Sequence, residues 1–282
     1  MEILRAAGQP GAAFVHERDA RSRYLEDLGA EVVDGDLQDF DAVSAAMVGV
    51  TAAYFCYPIS LGGLLQATAL FAQAASEAGV QAGVNMSQIS ARREAASNAA
   101  RQHWIAERLL DRTALVTTHL RPTFFLEWIN WTWVRRDTEG ILRLPFADGR
   151  HAPIGGRDQA KVIAATLQNP ASHDRQIYPL FGAEELDYYG IADKVQHALG
   201  LPVRYEPIDI PVFAASQTAH GATPFLDVAQ DQRDGIFSGM NNLVEVISGS
   251  TPMTVQEYVI STRSKFDTDG RYAVEDVLLP TA

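Results

Sequence analysis

Residues 64–90, LLQATALFAQAASEAGVQAGVNMSQIS, join a long amphipathic helix to a short apolar strand. Apolar residues recur at helical spacing over 64–78, and Gly79 suits the left-handed turn that ends many helices. The strand VNMSQIS at 84–90 follows after a few residues. A buried helix that leads so directly into a buried strand is typical of a sheet whose parallel strands are connected by helices.

The same alternation continues on both sides of this stretch. Before it, the pattern predicts an opening helix, strands at 12–15, 31–33 and 52–57, and helices at 21–28 and 40–47. After it, AARQHWIAERLLDR at 99–112 predicts a helix and LVTTHLRP at 115–122 a strand. We therefore expect an α/β fold, a doubly wound parallel sheet with a smaller C-terminal lobe.

The domain boundaries follow from where the alternation ends. Residues 1–124 are predicted to form the nucleotide-fold domain, and residues 152–180, with a helix at 155–167, to pack back on it. Residues 125–151 and 181–282 are the predicted substrate-lobe segments. Two later segments, QIYPLFG at 176–182 and PVRYEPIDI at 202–210, are expected to return to the sheet or to cover its crevice.

Composition excludes several classes of protein. With 282 residues and 47% hydrophobic content the chain can bury a large core, and no run of eighteen apolar residues predicts a membrane span. A formal charge of −12 disfavours nucleic acid as a partner. The single cysteine and the absence of a signal-peptide pattern favour the cytoplasm, and the scattered histidines predict no metal site.

No glycine-rich phosphate loop is evident in the sequence. Such a loop follows a strand and opens a helix, so that backbone N–H groups reach a pyrophosphate. The pair Gly8 and Gly11 in GQPG lies between a helix and a strand, which is the wrong order, and Gly62–Gly63 lacks a third glycine. The simplest interpretation of GQPG is a turn that leaves a helix.

Four segments in order resemble one family. They are LGAEVVDGDLQDFDAVSAAMVGVTAAYF (28–55), VNMSQISARREAASNAARQHWIAERLLDR (84–112), THLRPTFFLEW (118–128) and MNNLVEVISGSTPMTVQEYV (240–259). Together they resemble the NmrA-like branch of the atypical short-chain dehydrogenases, close to the type 2 NAD(P)H:quinone oxidoreductases. Members of that branch begin with a strand and a GATGxxG motif, and this sequence starts inside the helix that would follow. The resemblance implies a Rossmann-like fold, here with the first strand missing, and NADP or NAD as the cofactor.

The resemblance also implies cofactor-binding residues. Arg18 matches a basic residue that meets the adenosine 2′-phosphate, with a solvated charge at a strand end as the alternative. Asp36 and Leu37 match the turn beside the adenine, although Asp36 is also a candidate helix cap. Phe55, Cys56, Tyr57 and Pro58 match a strand edge along the cofactor, although as apolar strand residues they are also candidates for the core. The other matched positions are Met86, Pro122, Thr123 and Phe124.

Three residues are the catalytic candidates. Ser87 ends a central strand, faces the crevice where such folds bind ligands, and matches the serine used near the nicotinamide in related dehydrogenases. His103 and Glu107 lie four apart on a helix and share a face, like the Tyr-x-x-x-Lys pair of the classical enzymes, although a glutamate cannot supply the positive charge of lysine. The alternative is structural: His103 forms a hydrogen bond at the crevice edge, and Glu107 pairs with Arg108 or Arg121.

Aromatic residues after the predicted strand at 115–122 suggest the substrate. The resemblance places Phe125 at the opening of the substrate pocket. Three tryptophans follow, with enough apolar area to line a pocket for a flat molecule or to form the core of a lid: Trp128, Trp131 and Trp133. We expect NAD(P)H-dependent reduction of a flat carbonyl compound or quinone. The alternative is a family member without dinucleotide binding, acting as a cofactor-free isomerase, cyclase or dehydratase, or as a ligand-sensing regulator.

The missing first strand and glycine motif have two expected consequences. The chain as printed should bind NAD(P)H weakly or not at all, because little remains to hold the pyrophosphate. Strands on either side of the missing one should present unpaired backbone groups, which favours a homo-oligomer.

Overall fold

The structure, a computed structural model, describes residues 1–58, 62–216 and 222–270. The chain divides into two compact units. The first unit comprises Met1–Ser87, Gln102–Leu120 and Ala160–Tyr178, and the second Gln88–Arg101, Arg121–Gln159 and Pro179–Ala282. Of the predicted lobe segment 181–282, residues 217–221 and 271–282 lie outside the described residues.

Strands and helices alternate from the start of the chain. Up to the fifth strand they are α1 Glu2–Ala6, β1 Ala12–Val15, α2 Ala20–Asp27, β2 Glu31–Asp34, α3 Phe40–Ala46, β3 Ala52–Phe55, α4 Leu64–Glu77, β4 Ala82–Met86, α5 Asn98–Leu110 and β5 Val116–Pro122. The predicted alternation is therefore present, with helix and strand ends within a few residues of those expected from the sequence.

The later part of the chain is more irregular. Its elements are α6 Glu127–Trp131, β6 Trp133–Arg136, β7 Glu139–Leu144, α7 Gly156–Gln168, a 3₁₀ turn Pro170–His173, β8 Gln176–Leu180, α8 Tyr188–Leu199, β9 Val203–Pro207, α9 Ile210–Ser216, α10 Ala222–Arg233, α11 Leu243–Ser248, α12 Val255–Ser261 and a 3₁₀ turn Arg263–Phe266. None of the helices in the described ranges is long and apolar enough to cross a membrane.

The strands form three sheets. β1 and β2 pair in parallel as a two-stranded sheet, and a four-stranded sheet has the order β3-β4-β5-β8, with β3, β4 and β5 parallel. The third sheet has the order β6-β7-β9. The fold is thus the expected α/β class with a parallel sheet. QIYPLFG joins that sheet through β8, whereas PVRYEPIDI supplies β9 beside β7.

Helix α4 shows why the first unit folds in this way. Its buried face consists of Leu64, Ala67, Thr68, Phe71, Ala72, Ala74 and Ala75, at helical spacing. Small alanines dominate this face, so the helix can pack closely on its neighbours, and Gly79 takes the left-handed conformation just after the helix ends. The apolar repeat over 64–78 also predicts Ala78 on this face, but that residue is exposed.

The second unit has an aromatic core. Its buried cluster includes Phe124, Trp133, Phe146, Tyr188, Tyr205, Phe213, Phe237, Tyr258 and Phe266. Within the antiparallel pair β6-β7, the indole of Trp133 covers Gly140. Gly140 pairs with Arg135 in the register, but the indole reaches across to it, and a Cβ at position 140 would lie 1.7 Å from that ring, so only glycine fits there.

Candidate active site

Ser87 and Glu107 form a buried hydrogen-bonded pair in the first unit. Ser87 follows β4, and its N–H donates to the Leu120 carbonyl of β5 at 2.8 Å, which fixes the backbone. Its Oγ donates to Oε1 of Glu107 at 2.6 Å, and the two residues are 4% and 0% exposed. The hydroxyl is therefore committed to a carboxylate of α5, and not to the serine's own backbone.

The surroundings of Glu107 include the positive charge of Arg108. Nη2 of Arg108 lies 3.6 Å from Oε2 of Glu107 and 2.9 Å from the carboxylate of Asp111. His103, one turn earlier on α5, is also buried. Of the two arginines expected from sequence as partners of Glu107, the structure shows Arg108 near it. The hydroxyl of Ser87 is a closer partner that the sequence did not suggest.

The pair can hold a proton in either of two arrangements. With Glu107 ionised, the carboxylate accepts the serine hydroxyl, and Ser87 Oγ has only lone pairs left for a ligand. With Glu107 in its acid form, the carboxyl can donate to Oγ, and the serine proton becomes available to an acceptor. The arrangement is thus suited to passing a single proton.

A second buried network lies beside the pair on β4, β5 and α5. Asn85 donates from its amide to Nδ1 of His119 at 3.1 Å, and Nε2 of His119 donates to Asp111 at 3.0 Å. Burial lowers the pKa of His119, although the hydrogen bond to Asp111 opposes that shift. Burial acts to raise the pKa of Asp111, but hydrogen bonds from His119 and Arg108 outweigh it and hold the pKa below its usual range.

Arg18 and Asp36, the residues expected to meet the adenosine, have partners within the chain. Arg18 bonds to Asp34 at 2.8 Å, to Glu26 at 2.5 Å and to the carbonyl of Val32 at 2.7 Å. Asp36 accepts from the backbone N–H of Gln38. It is therefore a turn residue, and Asp39 is the cap of α3. Leu37 packs against the core of the first unit.

The four matched positions after Tyr54 alternate between core and solvent. Phe55 and Tyr57 are buried, and the hydroxyl of Tyr57 donates to the carbonyl of Gly62 at 2.8 Å. Cys56 and Pro58 are exposed, so Cys56 is not the buried filler that the sequence suggested as one possibility. Met86, the last residue of β4, is half-buried.

The N-termini of α2, α3 and α4 differ in how they are capped. The carboxylates of Asp19 and Asp39 cap α2 and α3, respectively, by accepting hydrogen bonds from backbone N–H groups of the first turn. α4 begins after Gly63, which has a φ of 101° and provides no side-chain cap, and Gly62 has open space around it. Of these three helix ends, that of α4 is the one without a side-chain cap, and the amide of Gln38 lies beside Gly63. Gly8 takes a φ of 72° just after α1, as expected for a turn.

The candidate substrate residues lie in the second unit. Thr123 and Phe124 are buried, and the Phe124 ring contacts Trp128 and Phe237, with centroids 5.7 and 4.4 Å apart. Trp128 also contacts Trp131. Phe125, Trp128 and Trp131 are half-buried, and Pro122 is buried at the end of β5. Trp133 is fully buried in the core of this unit, so it has no surface to offer a ligand.

Several polar residues outside the sequence prediction also stand out. All of them are largely or fully buried: Asp111 and His119 of the first unit, and Ser90, His151 and Gln232 of the second. None belongs to a short motif, so spacing carried no signal for them. Within residues 1–58, 62–216 and 222–270, no three His, Cys, Asp or Glu side chains come together as a metal site.

Comparisons with known proteins give the family. The model of the NmrA-like family matches residues 1–259. The chain is 25% identical over 273 residues to an NAD(P)H azoreductase of Xenophilus azovorans, with 94% of each chain covered.

Two solved structures share the fold. An NADPH-dependent quinone oxidoreductase from Escherichia coli, complexed with NADPH, is 20% identical, with 92% of this chain and 93% of that chain covered and a TM-score of 0.76. NmrA, a negative transcriptional regulator solved in complex with NAD, is 13% identical, with 92% and 89% covered and a TM-score of 0.80. Because the family model spans most of the sequence, the chain belongs to the NmrA-like family.

Proposed function

We propose that this protein is an NAD(P)H-dependent reductase of a flat quinone, azo or carbonyl compound. The observation that carries the proposal is the Ser87–Glu107 pair, a buried hydroxyl and carboxyl at 2.6 Å where β4 ends. Family membership and the azoreductase relative support the same class of reaction. The carboxyl ends of parallel strands are the usual place for ligands in such sheets.

The proposed roles follow from the proton balance of a reduction. When bound, a reduced nicotinamide dinucleotide supplies a hydride, and the reduced acceptor then needs one proton. Ser87 gives that proton from Oγ, and the acid form of Glu107 restores it to the serine. His103, one turn from Glu107, is proposed to orient the acceptor. Arg108, 3.6 Å from Glu107, stabilises the carboxylate that remains until solvent returns the proton.

Dinucleotide binding is proposed to use the uncapped N-terminus of α4 and the half-exposed Arg18. The backbone N–H groups after Gly63 have no side-chain cap, and the Gln38 amide beside Gly63 would have to move aside for a phosphate. The carboxylates of Glu26 and Asp34 already bond to Arg18, and the sequence holds no three-glycine loop. We therefore expect the chain to bind a dinucleotide weakly. Fluorescence titration with NADH and with NADPH would measure this.

The direct test is turnover by single-site variants. NADH and NADPH oxidation would be followed with 1,4-naphthoquinone and with an azo dye as acceptors. Ser87→Ala should lower kcat by about 100-fold and Glu107→Gln by a similar factor, because each removes the proton supply. Ser22→Ala is the matched control: Ser22 is a buried serine of the same unit whose hydroxyl bonds to the backbone of Asp19. Wild-type turnover in both site variants would refute the assigned roles.

A ligand-sensing regulator remains the second candidate. The observation in its favour is that the Ser87 hydroxyl already donates to Glu107. Its oxygen can therefore accept a hydrogen bond from a ligand without transferring a proton to it. Dinucleotide binding without oxidation of NADH or NADPH by any acceptor would favour this candidate over the reductase.

Two further features are proposed from the sequence and the sheets. Copies of the chain are proposed to associate, because β1 and β3 are edge strands of separate parallel sheets. A monodisperse monomer in light scattering at micromolar concentration would contradict this. The protein is also proposed to act in the cytoplasm, because its single cysteine cannot form an internal disulfide.

A further inference from the structure

The sheet β6-β7-β9 of the second unit has two edges that differ in how they are covered. At the β6 edge, the N–H of Arg135 donates to the carboxylate of Asp269 at 2.6 Å, and the N–H of Gly270 donates to the carbonyl of Trp133 at 2.7 Å. At the β9 edge, no strand in the described part of the chain pairs with the side that faces away from β7. The β9 edge is therefore the side of this sheet where a further strand can be added.

The pairing of β9 with β7 determines which backbone groups of β9 point outward. The N–H of Gly140 donates to the carbonyl of Pro202 at 2.9 Å, and the N–H of Ile208 donates to that of Leu144 at 3.2 Å. Even-numbered residues of this segment thus direct their N–H and C=O groups toward β7. The odd-numbered residues of β9 direct theirs away from it, because successive residues of a strand alternate.

Of the three outward-facing residues of β9, Tyr205 is the one that keeps a donor for a partner. The N–H of Val203 already donates to Oε1 of Gln196 at 3.1 Å, and Pro207 has no N–H. No described residue pairs with the outward N–H or C=O of Tyr205. Such a residue can pair with its own counterpart in a second copy, because two opposed residues of an antiparallel pair exchange both hydrogen bonds.

The space beside this edge is open. A cavity of about 300 Å³ lies between α8 and β9, and its lining includes Tyr189, Asp193 and Gln196 from the helix and residues 203–205 from the strand. Tyr189 is 53% exposed, although its ring packs edge-on against Tyr205 with centroids 5.0 Å apart. An approaching strand therefore meets open space and an exposed aromatic ring.

The charges on β9 favour pairing with a second copy. Arg204 and Glu206 flank Tyr205, carry opposite charges and have side chains that are 49% and 33% exposed. When two copies of β9 run antiparallel with Tyr205 opposite its counterpart, Arg204 lies opposite the partner's Glu206, and Glu206 lies opposite the partner's Arg204. These positions form non-hydrogen-bonded pairs, in which side chains come closest. The intrachain bond between Arg204 and Glu206, at 2.6 Å, is exposed and costs little to exchange for the bond across the interface.

Other registers are disfavoured by the same strand. A pair centred on Val203 would have to displace Gln196, and a pair centred on Pro207 lacks both N–H donors. A proline and charged side chains on an edge strand commonly prevent association. Here the two charges have opposite signs and lie symmetrically about Tyr205, so they restrict the register without repelling a second copy.

We propose that two copies of this chain associate through β9, with their Tyr205 residues opposite each other about a two-fold axis. Three strands from each copy then form one continuous six-stranded sheet. This proposal gives the association of copies a site in the second unit, and it does not rest on the reductase assignment. With two backbone hydrogen bonds and two exposed charge pairs at its centre, the interface should be weak, with a dissociation constant in the micromolar range.

Sedimentation equilibrium of the whole chain over a range of micromolar concentrations tests the proposal. Arg204→Glu places a carboxylate opposite the partner's Glu206, and Glu206→Arg places a guanidinium opposite the partner's Arg204. Each variant should weaken self-association by about tenfold, because two attractive charge pairs become repulsive. Neither should move the melting temperature much, since the charges are partly exposed.

A mixture of the two variants tests the register itself. Arg204→Glu carries carboxylates at both positions and Glu206→Arg carries guanidinium groups at both, so the two cross-strand pairs of a mixed dimer are attractive again. The equimolar mixture should associate to within about threefold of the wild type, although neither variant does so alone. Arg150→Glu is the matched control: Arg150 is a half-exposed arginine of the same unit that pairs with Glu185 and lies outside β9, so its reversal should leave association unchanged.

Three results would overturn the proposal. A wild-type chain that stays monomeric over this range would leave the β9 edge to a strand of a different protein. Self-association of both variants at the wild-type strength would place the contact at another edge, such as β1 or β3. A mixture that associates no better than its components would exclude the two-fold register. Sedimentation needs no dinucleotide or acceptor, so these results are distinct from a failure of the proposed reduction, which NADH and NADPH turnover tests separately.

Discussion

His119 of the first unit and His151 of the second are both buried, but they have different partners. His119 donates to a carboxylate, Asp111, whereas His151 accepts from an uncharged amide, that of Gln232. Burial lowers the pKa of both histidines. Of the two, His119 has a hydrogen bond to a carboxylate that opposes this shift. The comparison teaches that a buried histidine can have a charged partner, as His119 has, or a neutral one, as His151 has.

The largest expected effect is acid sensitivity from His151. Its folded-state pKa of about 3 lies below the ordinary value of 6.5, so between these values the unfolded chain binds the extra proton. The free energy of unfolding should therefore fall as the pH drops from about 6.5 to about 3, by roughly 4–5 kcal/mol in total. Urea unfolding at pH 7, 5.5 and 4.5 measures the slope.

A variant assigns that slope to one residue. His151→Gln keeps an acceptor for Gln232 but cannot titrate, so its stability should depend less steeply on pH in this window, by up to about 1.4 kcal/mol per pH unit. Equal slopes for the wild type and His151→Gln would show that the imidazole is not held neutral.

The next effect tests the charged partner in the first unit. Asp111→Asn removes the carboxylate that bonds to His119, Thr117 and Arg108, and should cost about 2 kcal/mol, less than a fully buried pair because Asp111 is partly exposed. The lowered pKa of Asp111 means that its contribution is present above about pH 4 and disappears as the pH falls through the folded-state pKa. The difference between wild type and Asp111→Asn in urea should therefore shrink toward pH 3. A constant difference would contradict the assignment.

A smaller effect separates the two amides that donate to these histidines. Asn85→Leu and Gln232→Met each leave a buried imidazole nitrogen without its donor. Asn85→Leu should cost about 2 kcal/mol and Gln232→Met about 1 kcal/mol, because the latter also removes an unpaired carbonyl oxygen. Urea unfolding at pH 7 compares them directly, and the reverse order would argue against the unpaired state of Gln232.

The smallest effect is expected at an exposed charge. Arg18→Gln removes ion pairs with Glu26 and Asp34, in which all three side chains are about half-exposed. Water and salt screen such pairs, so the urea midpoint should move little and should match the wild type in 0.5 M NaCl. A large loss that persists in salt would show that exposed pairs stabilise the first unit as well as buried ones do.

The parts of the fold that could be predicted from sequence are those with local periodicity. The face of α4 and the apolar strand β4 follow from spacing alone, because a helix or strand places its apolar residues at a fixed repeat. The sheet position of β9 could not be predicted in this way. Val203–Pro207 reads as a strand, but its pairing with β7, some 60 residues earlier, depends on packing that no local pattern encodes.

The candidate site shows the same limit. The spacing of His103 and Glu107 predicts that they share a helix face, but not which strand that face contacts. Spacing alone therefore cannot predict the hydrogen bond between Ser87 and Glu107. The contact of Gln232 with His151 is harder still, because the two residues are 81 positions apart and neither belongs to a motif. Trp133 was expected near a pocket because three tryptophans cluster in sequence, but the change from helix α6 to strand β6 turns it into the core.

The contact of Trp133 with Gly140 also constrains how this sequence can change over generations. A side chain at position 140 has no room while the indole is present, and a smaller residue at 133 would leave a cavity over a bare glycine. Either substitution alone should destabilise the fold, so we expect a lineage to move away from this pair by two substitutions close together in time. Among homologues aligned to this chain, positions 133 and 140 should therefore vary jointly or not at all, whatever molecule each homologue acts on.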